Sequence, residues 1–289
     1  MKNNFGGILI SIEQLIERSG ELGSLPAVVI RINQAIDDPS SNATKIGRIV
    51  NEDPALTAQL LKLVNSPFYG FRSRIDTVFR AIAIIGHREL RHLVLTAHAL
   101  KTFSDMPNEL VSMPIYWRRS LSVGVMTRVL AAYARERDIE RLFISGLLHD
   151  IGSLLIYQQL PHEASEIIMR ARTKGLWIRD VEEEYLGFDH AQVGGALLEA
   201  WELPKILVDS VRYHLQPENA PEEHQKAAMI VNLAHEIHHH YIDRDPGLAE
   251  DAEVEPALFE RLEIPYDALD KMLEQAKTHY EEGRSLIMS

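Results

Sequence analysis

The sequence contains no cysteine, which excludes disulfide bonds and metal sites built on thiolates. It also lacks any run of about 18 consecutive apolar residues, so neither a transmembrane helix nor a membrane partner is predicted. The amino-terminal Met1-Lys2-Asn3-Asn4 leads only into a short apolar stretch, which is not the pattern of a signal peptide. Together these absences predict a cytoplasmic protein.

Positive charge is scarce as well. The chain has 30 Lys and Arg residues against 42 Asp and Glu residues, a formal net charge of −12. Nucleic acids and anionic lipid surfaces are attracted by basic faces. The charge balance therefore argues against bulk nucleic-acid binding, while a local basic patch stays compatible with it.

The alternation of apolar and polar residues that marks β-strands is almost missing. Apolar residues instead recur at three- and four-residue spacing, as in the stretches 27–36, 115–134 and 142–155. Asp53 followed by Pro54 is typical of a helix start, with an N-cap and then proline at the first helical position. The pattern predicts an all-α fold in which 142–155 forms one helix.

Histidine is absent from residues 1–86, whereas the rest of the chain holds all 13 histidines. This asymmetry predicts two helical halves, 1–107 and 108–245, that meet near Asp105-Met106-Pro107-Asn108. The remaining stretch, 246–289, begins with an acidic run and returns to one helical pattern at 266–280. We interpret it as an appended tail.

The most informative short motif is Leu148-His149-Asp150-Ile151-Gly152, which follows an apolar run. A neutral imidazole and a carboxylate are common ligands of divalent metals. A His-Asp pair beside a buried run must also be matched by partners, since burying an unpaired charge is costly. The motif therefore indicates a metal site whose other ligands lie elsewhere in the chain.

Several separated motifs resemble those of one known family and occur in its order. They are Leu25-Pro26, Glu52-Asp53-Pro54-Ala55-Leu56, Val64-Asn65-Ser66-Pro67-Phe68-Tyr69-Gly70, Tyr116-Trp117-Arg118-Arg119-Ser120, the stretch 147–152, Phe188-Asp189-His190 and Trp201-Glu202-Leu203-Pro204. They resemble the HDOD (HD-related output domain) family of bacterial signalling proteins over about residues 15–240. The resemblance implies a multi-helix HDOD fold with a C-terminal half related to HD-type metal phosphohydrolases.

The resemblance also implies a ligand set. The His-Asp pair corresponds to His149 and Asp150, and two later histidine positions correspond to His190 and His214. A metal held by such ligands activates a water molecule and stabilises the charge that develops on phosphate.

The implied pattern departs from the family at both ends. Arg119 stands where the first histidine belongs, and His235 stands where the last aspartate belongs. Arginine is not a metal ligand and its charge repels a cation, but it could bond to Asp150. Imidazole can still ligate, so His149, Asp150, His190, His214 and His235 could hold zinc, iron, nickel or manganese. The favoured hypothesis is a site without a catalytic metal, and a bound but non-catalytic ion is the alternative.

A second motif overlaps this region. His235-Glu236-Ile237-His238-His239 satisfies H-E-x-x-H, in which two histidines bind zinc and the glutamate is the general base of a metalloprotease. Glu260 is the nearest candidate for the third ligand. Because three histidines are contiguous here, the spacing arises easily by chance, and a solvated helix end is the favoured interpretation.

A local basic cluster lies in the first half of this acidic chain. Its candidate phosphate- or partner-binding residues are Arg72, Arg74, Arg88 and Arg91. Guanidinium groups match phosphate well, so a nucleotide messenger or an acidic partner could bind there. The polar faces of two helices explain the same charges more simply, and we favour that interpretation.

The sequence thus predicts a regulatory module of bacterial signalling without robust phosphohydrolase turnover. Its predicted partners are signalling proteins in trans, in two-component or cyclic-nucleotide pathways. The alternative is a metal-dependent phosphohydrolase with an altered ligand set, and the remote alternative is the metalloprotease.

Overall fold

A computed structural model describes residues 10–20, 25–66, 69, 71, 74–104, 110–242 and 254–283. Within these ranges the chain forms sixteen α-helices and no β-strand, which confirms the all-α prediction. No helix among the described residues is both long enough and apolar enough to cross a bilayer.

The chain divides into two compact units. The smaller unit comprises residues 24–107 and 278–289, and the larger unit comprises residues 1–23 and 108–277. The division of the sequence into 1–107, 108–245 and an appended tail stays a prediction.

Five helices fall within 25–104: α2 (Ala27–Asp37), α3 (Ala43–Val50), α4 (Pro54–Val64), α5 (Val78–Ile85) and α6 (His87–Ser104). The start of α4 follows the sequence signal, because the Asp53 carboxylate accepts bonds from the backbone N–H groups of Ala55 and Leu56, both at 3.0 Å. Asn65 then fixes the chain after α4 by exchanging two hydrogen bonds with the backbone of Ile75, each 2.6 Å long.

The larger unit contains α1 (Ile12–Arg18), α7 (Met113–Tyr133), α8 (Ile139–Leu148), α9 (Ile151–Gln159), α10 (Pro161–Lys174), α11 (Ile178–Leu186), α12 (His190–Ala200), α13 (Lys205–Arg212), α14 (Glu222–Ile237) and α15 (Pro256–Arg261). Helix α16 spans Leu269–Gly283. Short 3-10 turns lie at Pro217–Asn219 and Tyr266–Ala268, and a π-helical turn lies at His238–Ile242.

The centre of the larger unit is α7, whose buried residues lie on every side of the helix. It packs chiefly against α8 and α14, while α9 packs against α12. The contact between α9 and α12 depends on Gly152, because a Cβ atom there would lie 2.0 Å from the carbonyl oxygen of His190. This close approach brings the start of α9 next to the start of α12.

The single helix predicted over 142–155 is wrong. Helix α8 ends at Leu148 and α9 begins at Ile151, so the His-Asp pair lies in the turn between them. At the break the His149 ring donates to the carbonyl of Gly146 in the last turn of α8, and Asp150 takes the N-cap position of α9 without a side-chain capping bond. Periodicity missed the turn because apolar residues continue on both sides of it.

Candidate metal centre

Three histidines from different helices converge in the larger unit. His149 follows α8, His214 follows α13 by two residues, and His235 lies in the last turn of α14. Their ring centroids are 5.3 Å apart for His149 and His214, and 5.4 Å apart for each of the other two pairs. One nitrogen of each ring lies within 4.8 Å of the other two, so the three form a nearly equilateral group.

Backbone carbonyls orient two of these rings. The Nδ1 atom of His149 donates to the Gly146 carbonyl at 2.8 Å, and Nδ1 of His214 donates to the Val211 carbonyl at 2.8 Å. Because a carbonyl can only accept, Nδ1 carries the proton and Nε2 keeps its lone pair. Among the described residues, no hydrogen-bond partner reaches the buried Nε2 atom of His214 or the buried Nδ1 atom of His235.

These unpaired nitrogens test whether a metal ion fits the residues present. A buried polar atom without a partner is rare in a folded protein and calls for an explanation, such as a bound ion. Three converging imidazoles suit a divalent transition metal better than calcium or magnesium, which prefer oxygen ligands. The set therefore fits zinc, iron or nickel, among the ions that the sequence predicted, better than manganese, which also prefers oxygen ligands.

The same three histidines are held neutral. Burial lowers the pKa of His149 well below its usual range, and the neighbouring His214 lowers it further. Burial also lowers the pKa of His214 to about 3, and that of His235 well below the usual value. Neutral imidazole is the form that ligates, so these pKa shifts favour metal binding at neutral pH.

Asp150 and His190 form an acidic and basic pair beside the histidine group. The Nε2 atom of His190 lies 3.8 Å from Oδ1 of Asp150, and the hydroxyl of Ser153 donates to the same oxygen. Burial raises the pKa of Asp150. The His190 and His214 ring centroids are 6.0 Å apart, so His190 adjoins the group of three without belonging to it.

His190 differs in charge from the three histidines. Burial alone would lower its pKa, but the carboxylates of Glu182, Asp150 and Asp189 outweigh burial and raise the pKa to about 10. Its Nδ1 atom donates to Oε2 of Glu182 at 2.6 Å. The centre thus combines three neutral imidazoles with one cationic imidazole.

A cavity of about 1090 Å³ opens onto this arrangement. His149, Asp150, His190 and His235 contribute to its wall, and so does Arg119. Arg119 is solvent-exposed, and its charge lowers the pKa of Asp150 against the larger effect of burial. The structure therefore brings all the residues implied as ligands, and the arginine that replaces one, to a single site.

Glu182 is a residue of the site that the sequence motifs did not predict. It is the first of three consecutive glutamates in α11, a run that is typical of a solvated face, yet its side chain is only 1% exposed. A signal was available, because position 182 falls on the apolar stripe of Ile178, Val181 and Leu186 at helical spacing.

The favoured interpretation of H-E-x-x-H as a solvated helix end is wrong, because His238 is buried and none of residues 235–240 is exposed. The rings of His235 and His239 are 4.4 Å apart, but Glu236 lies 3.4 Å from Nε2 of His240. Glu260 is exposed and is absent from the cavity lining found among the described residues. The third ligand required by the metalloprotease hypothesis is therefore not brought to the site.

The basic cluster in the smaller unit is described only in part. Arg72 and the side chain of Arg88 lie outside the described residues. Arg74 is exposed, and Arg91 forms an ion pair with Asp37. The pairing of Arg91 favours the interpretation as a solvated helix face, and phosphate binding there stays a prediction.

Comparisons with known proteins agree with the fold. An uncharacterized protein of Treponema pallidum (strain Nichols) is 25% identical over 221 residues, which are 76% of this chain and 42% of that protein. The chain thus spans less than half the length of this curated relative. A candidate phosphohydrolase from Shewanella amazonensis SB2B has a TM-score of 0.73 at 24% identity, over 94% of this chain and 97% of its own. An HDOD domain protein of unknown function from Geobacter sulfurreducens has a TM-score of 0.71 at 22% identity, and the match covers 94% of this chain and 96% of that protein.

The family profile gives the assignment. The HDOD domain profile matches residues 22–217, about two thirds of the chain, and the match contains His149, Asp150, His190 and His214. This chain therefore belongs to the HDOD family.

Proposed function

We propose that this chain is a regulatory module of a bacterial signalling pathway whose histidine group holds one divalent transition metal without robust hydrolysis. The observation that carries the proposal is the convergence of His149, His214 and His235, with nitrogens within 4.8 Å of one another. A bound ion would tie α8, α13 and α14 together, so it would act first on the stability and shape of the helical surfaces that contain them. Signalling proteins that read such surfaces in trans are the proposed partners.

Arg119 supports the regulatory role over catalysis. It stands at the position where the family resemblance implies a metal-binding histidine, and its cationic side chain lines the same cavity. A fixed positive charge there disfavours a second metal ion and leaves the ligand set incomplete. A histidine group that can hold a metal, next to an arginine in place of one implied ligand, fits a site that binds a metal without catalysing hydrolysis.

A metal-dependent phosphohydrolase is the second candidate, and the cavity favours it. A space of about 1090 Å³ reaches Asp150 and His190 next to the histidine group, so a small ligand has access to the centre. A metal held there would polarise a phosphoryl group or lower the pKa of a bound water. Asp150 would then accept a proton or hydrogen bond from that water.

The two candidates separate in one set of measurements. Metal content of the purified protein is determined by mass spectrometry, and hydrolysis is assayed with cyclic dinucleotides and an aryl phosphoester. The proposal expects about one transition metal per chain and no turnover above background. The variant His214→Ala is expected to lose the metal, whereas His162→Ala keeps it because His162 is 82% exposed on α10.

Two other outcomes would contradict the regulatory proposal. Turnover that disappears in His149→Ala would replace the regulatory proposal with the phosphohydrolase. Protein that contains no metal, and takes up none when zinc is added, would refute both metal-based functions.

A further inference from the structure

Glu182 is a buried carboxylate next to the metal centre that the proposed function does not use. It lies in α11 and is only 1% exposed. A buried carboxylate is costly unless it is bonded to groups that require it. Its bonds therefore indicate its role.

Both bonds go to the same residue. Oε2 of Glu182 accepts from the backbone N–H of His190 at 3.0 Å and from Nδ1 of the His190 ring at 2.6 Å. The first bond satisfies an N–H at the start of α12, one of the groups that a helix leaves unpaired. The second bond fixes the ring, because Nδ1 must face Glu182 and Nε2 must face Asp150.

This arrangement differs from the one at the neighbouring histidines. His149 and His214 donate Nδ1 to neutral backbone carbonyls, each at 2.8 Å. His190 donates to a carboxylate over a shorter distance, which is the geometry of a charge-assisted bond. A metal ion at Nε2 would displace the proton that this nitrogen carries in the metal-free protein. The carboxylate acceptor on Nδ1 raises the electron density on Nε2 and so makes the deprotonated nitrogen a better metal ligand.

We propose that Glu182 is a positioning residue of the metal centre, which holds His190 so that its Nε2 atom joins Asp150 in completing the site. The inference rests on the proposed metal binding. Two kinds of contact then orient the rings of the centre. Backbone carbonyls orient His149 and His214, and the Glu182 carboxylate orients His190.

The test compares Glu182→Gln with Glu183→Gln. Glutamine keeps the size of the side chain and an oxygen that can accept a bond, but it removes the charge. Glu183 is the next residue of the same helix, is exposed, and accepts a bond from Gln216 at 3.3 Å, so its variant is a matched control. Zinc affinity is measured by competition with a chromophoric chelator, and circular dichroism reports whether each variant is folded.

We expect Glu182→Gln to bind zinc about 10- to 100-fold more weakly than the unmodified chain, the range typical of lost outer partners of a metal-bound histidine. Glu183→Gln is expected to bind as the unmodified chain does. An affinity within twofold of the unmodified chain in Glu182→Gln, with zinc lost in His214→Ala, would overturn the role of Glu182 alone. An unmodified chain without zinc affinity would instead overturn the metal centre together with this inference.

A second measurement needs neither metal nor a variant that folds. Nitrogen-15 NMR of the metal-free protein distinguishes the two ring nitrogens of His190. The inference expects a protonated, strongly hydrogen-bonded Nδ1 with its proton signal far downfield. An unprotonated or solvent-exchanging Nδ1 would overturn the positioning role.

Discussion

At the scale of single residues, the histidines of the centre differ in charge for identifiable reasons. His149, His214 and His235 are neutral because burial and neighbouring imidazoles penalise a proton. His190 is equally buried, yet the carboxylates of Glu182, Asp150 and Asp189 raise its pKa to about 10. The local partners, not the residue type, decide the charge of each ring.

This difference predicts how the metal-free protein responds to acid. An unfolded histidine binds a proton near pH 6.5, whereas the three buried rings stay neutral well below that pH, down to about 3 for His214. The unfolded state therefore binds more protons below pH 6.5, and stability is lost as the pH falls. Each such histidine steepens the loss by up to about 1.4 kcal/mol per pH unit.

Urea unfolding with a chelator present, at pH 7, 6 and 5, checks this expectation. His214→Leu removes one of the three rings. Its free energy of unfolding should therefore fall less steeply with decreasing pH, by the slope that corresponds to about one proton fewer taken up on unfolding. The exposed control His162→Ala should show the same slope as the unmodified chain. Equal slopes in all three proteins would contradict the neutral state of His214. His190 acts in the opposite sense, because its contribution is complete below pH 6.5 and is lost as the pH rises toward 10.

At the scale of elements, the contact between α9 and α12 sets the spacing of the site. Gly152 is the second residue of α9, two positions after Asp150, and faces the first residue of α12. An added Cβ would lie 2.0 Å from the His190 carbonyl oxygen and 2.4 Å from the Gly194 nitrogen, both backbone atoms that cannot rotate away. The helices must separate to admit it.

Gly152→Ala is therefore expected to lower the free energy of unfolding by about 1–3 kcal/mol, the usual cost of overpacking. It should also weaken zinc binding, since the shift moves His190 away from Asp150. Gly47→Ala in α3 is the control, because its nearest neighbours would lie 3.9 Å from the added Cβ and alanine favours a helix. Urea unfolding and zinc competition measure both effects, and a Gly152→Ala protein as stable as the unmodified chain would refute the tight contact.

The sequence predicted these elements better than it predicted their junctions. Helical periodicity gave the all-α fold, and the ordered motifs gave the family and the residues that converge at the site. It could not show that a turn interrupts 142–155, because apolar residues on both sides satisfy the same period. Helical spacing places Glu182, and not Glu183 or Glu184, on the apolar stripe of α11, but only the folded structure shows that its carboxylate is bonded to His190.

At the scale of the whole molecule, the metal would act on one of the two units. All three histidines of the group belong to the larger unit, and so do Trp117, Trp177 and Trp201, the only tryptophans of the chain. Tryptophan fluorescence therefore follows the unfolding of the unit that holds the candidate centre. Circular dichroism follows the helices of both units.

Zinc is expected to raise the unfolding midpoint seen by fluorescence. Binding to the folded state alone stabilises it by about 2.7 kcal/mol when the free metal is 100 times its Kd. The shift should disappear on addition of a chelator and in His214→Ala, while His162→Ala keeps it. A midpoint that zinc leaves unchanged in fluorescence would contradict a site inside the larger unit.

The π-helical turn at His238–Ile242 makes the end of α14 sensitive to residue count. It sends three consecutive histidines to different neighbours: His238 to Ser122 at 3.0 Å, His239 to Trp177 with ring centroids 6.2 Å apart, and His240 to Glu236 at 3.4 Å. A π turn is one residue wider than an α turn, and each residue turns a helix by about 100°. Deleting one residue such as Tyr241 would rewind the turn and redirect the chain beyond it. The cavity wall could thus be rebuilt by a change in length, with every residue that lines it left unchanged.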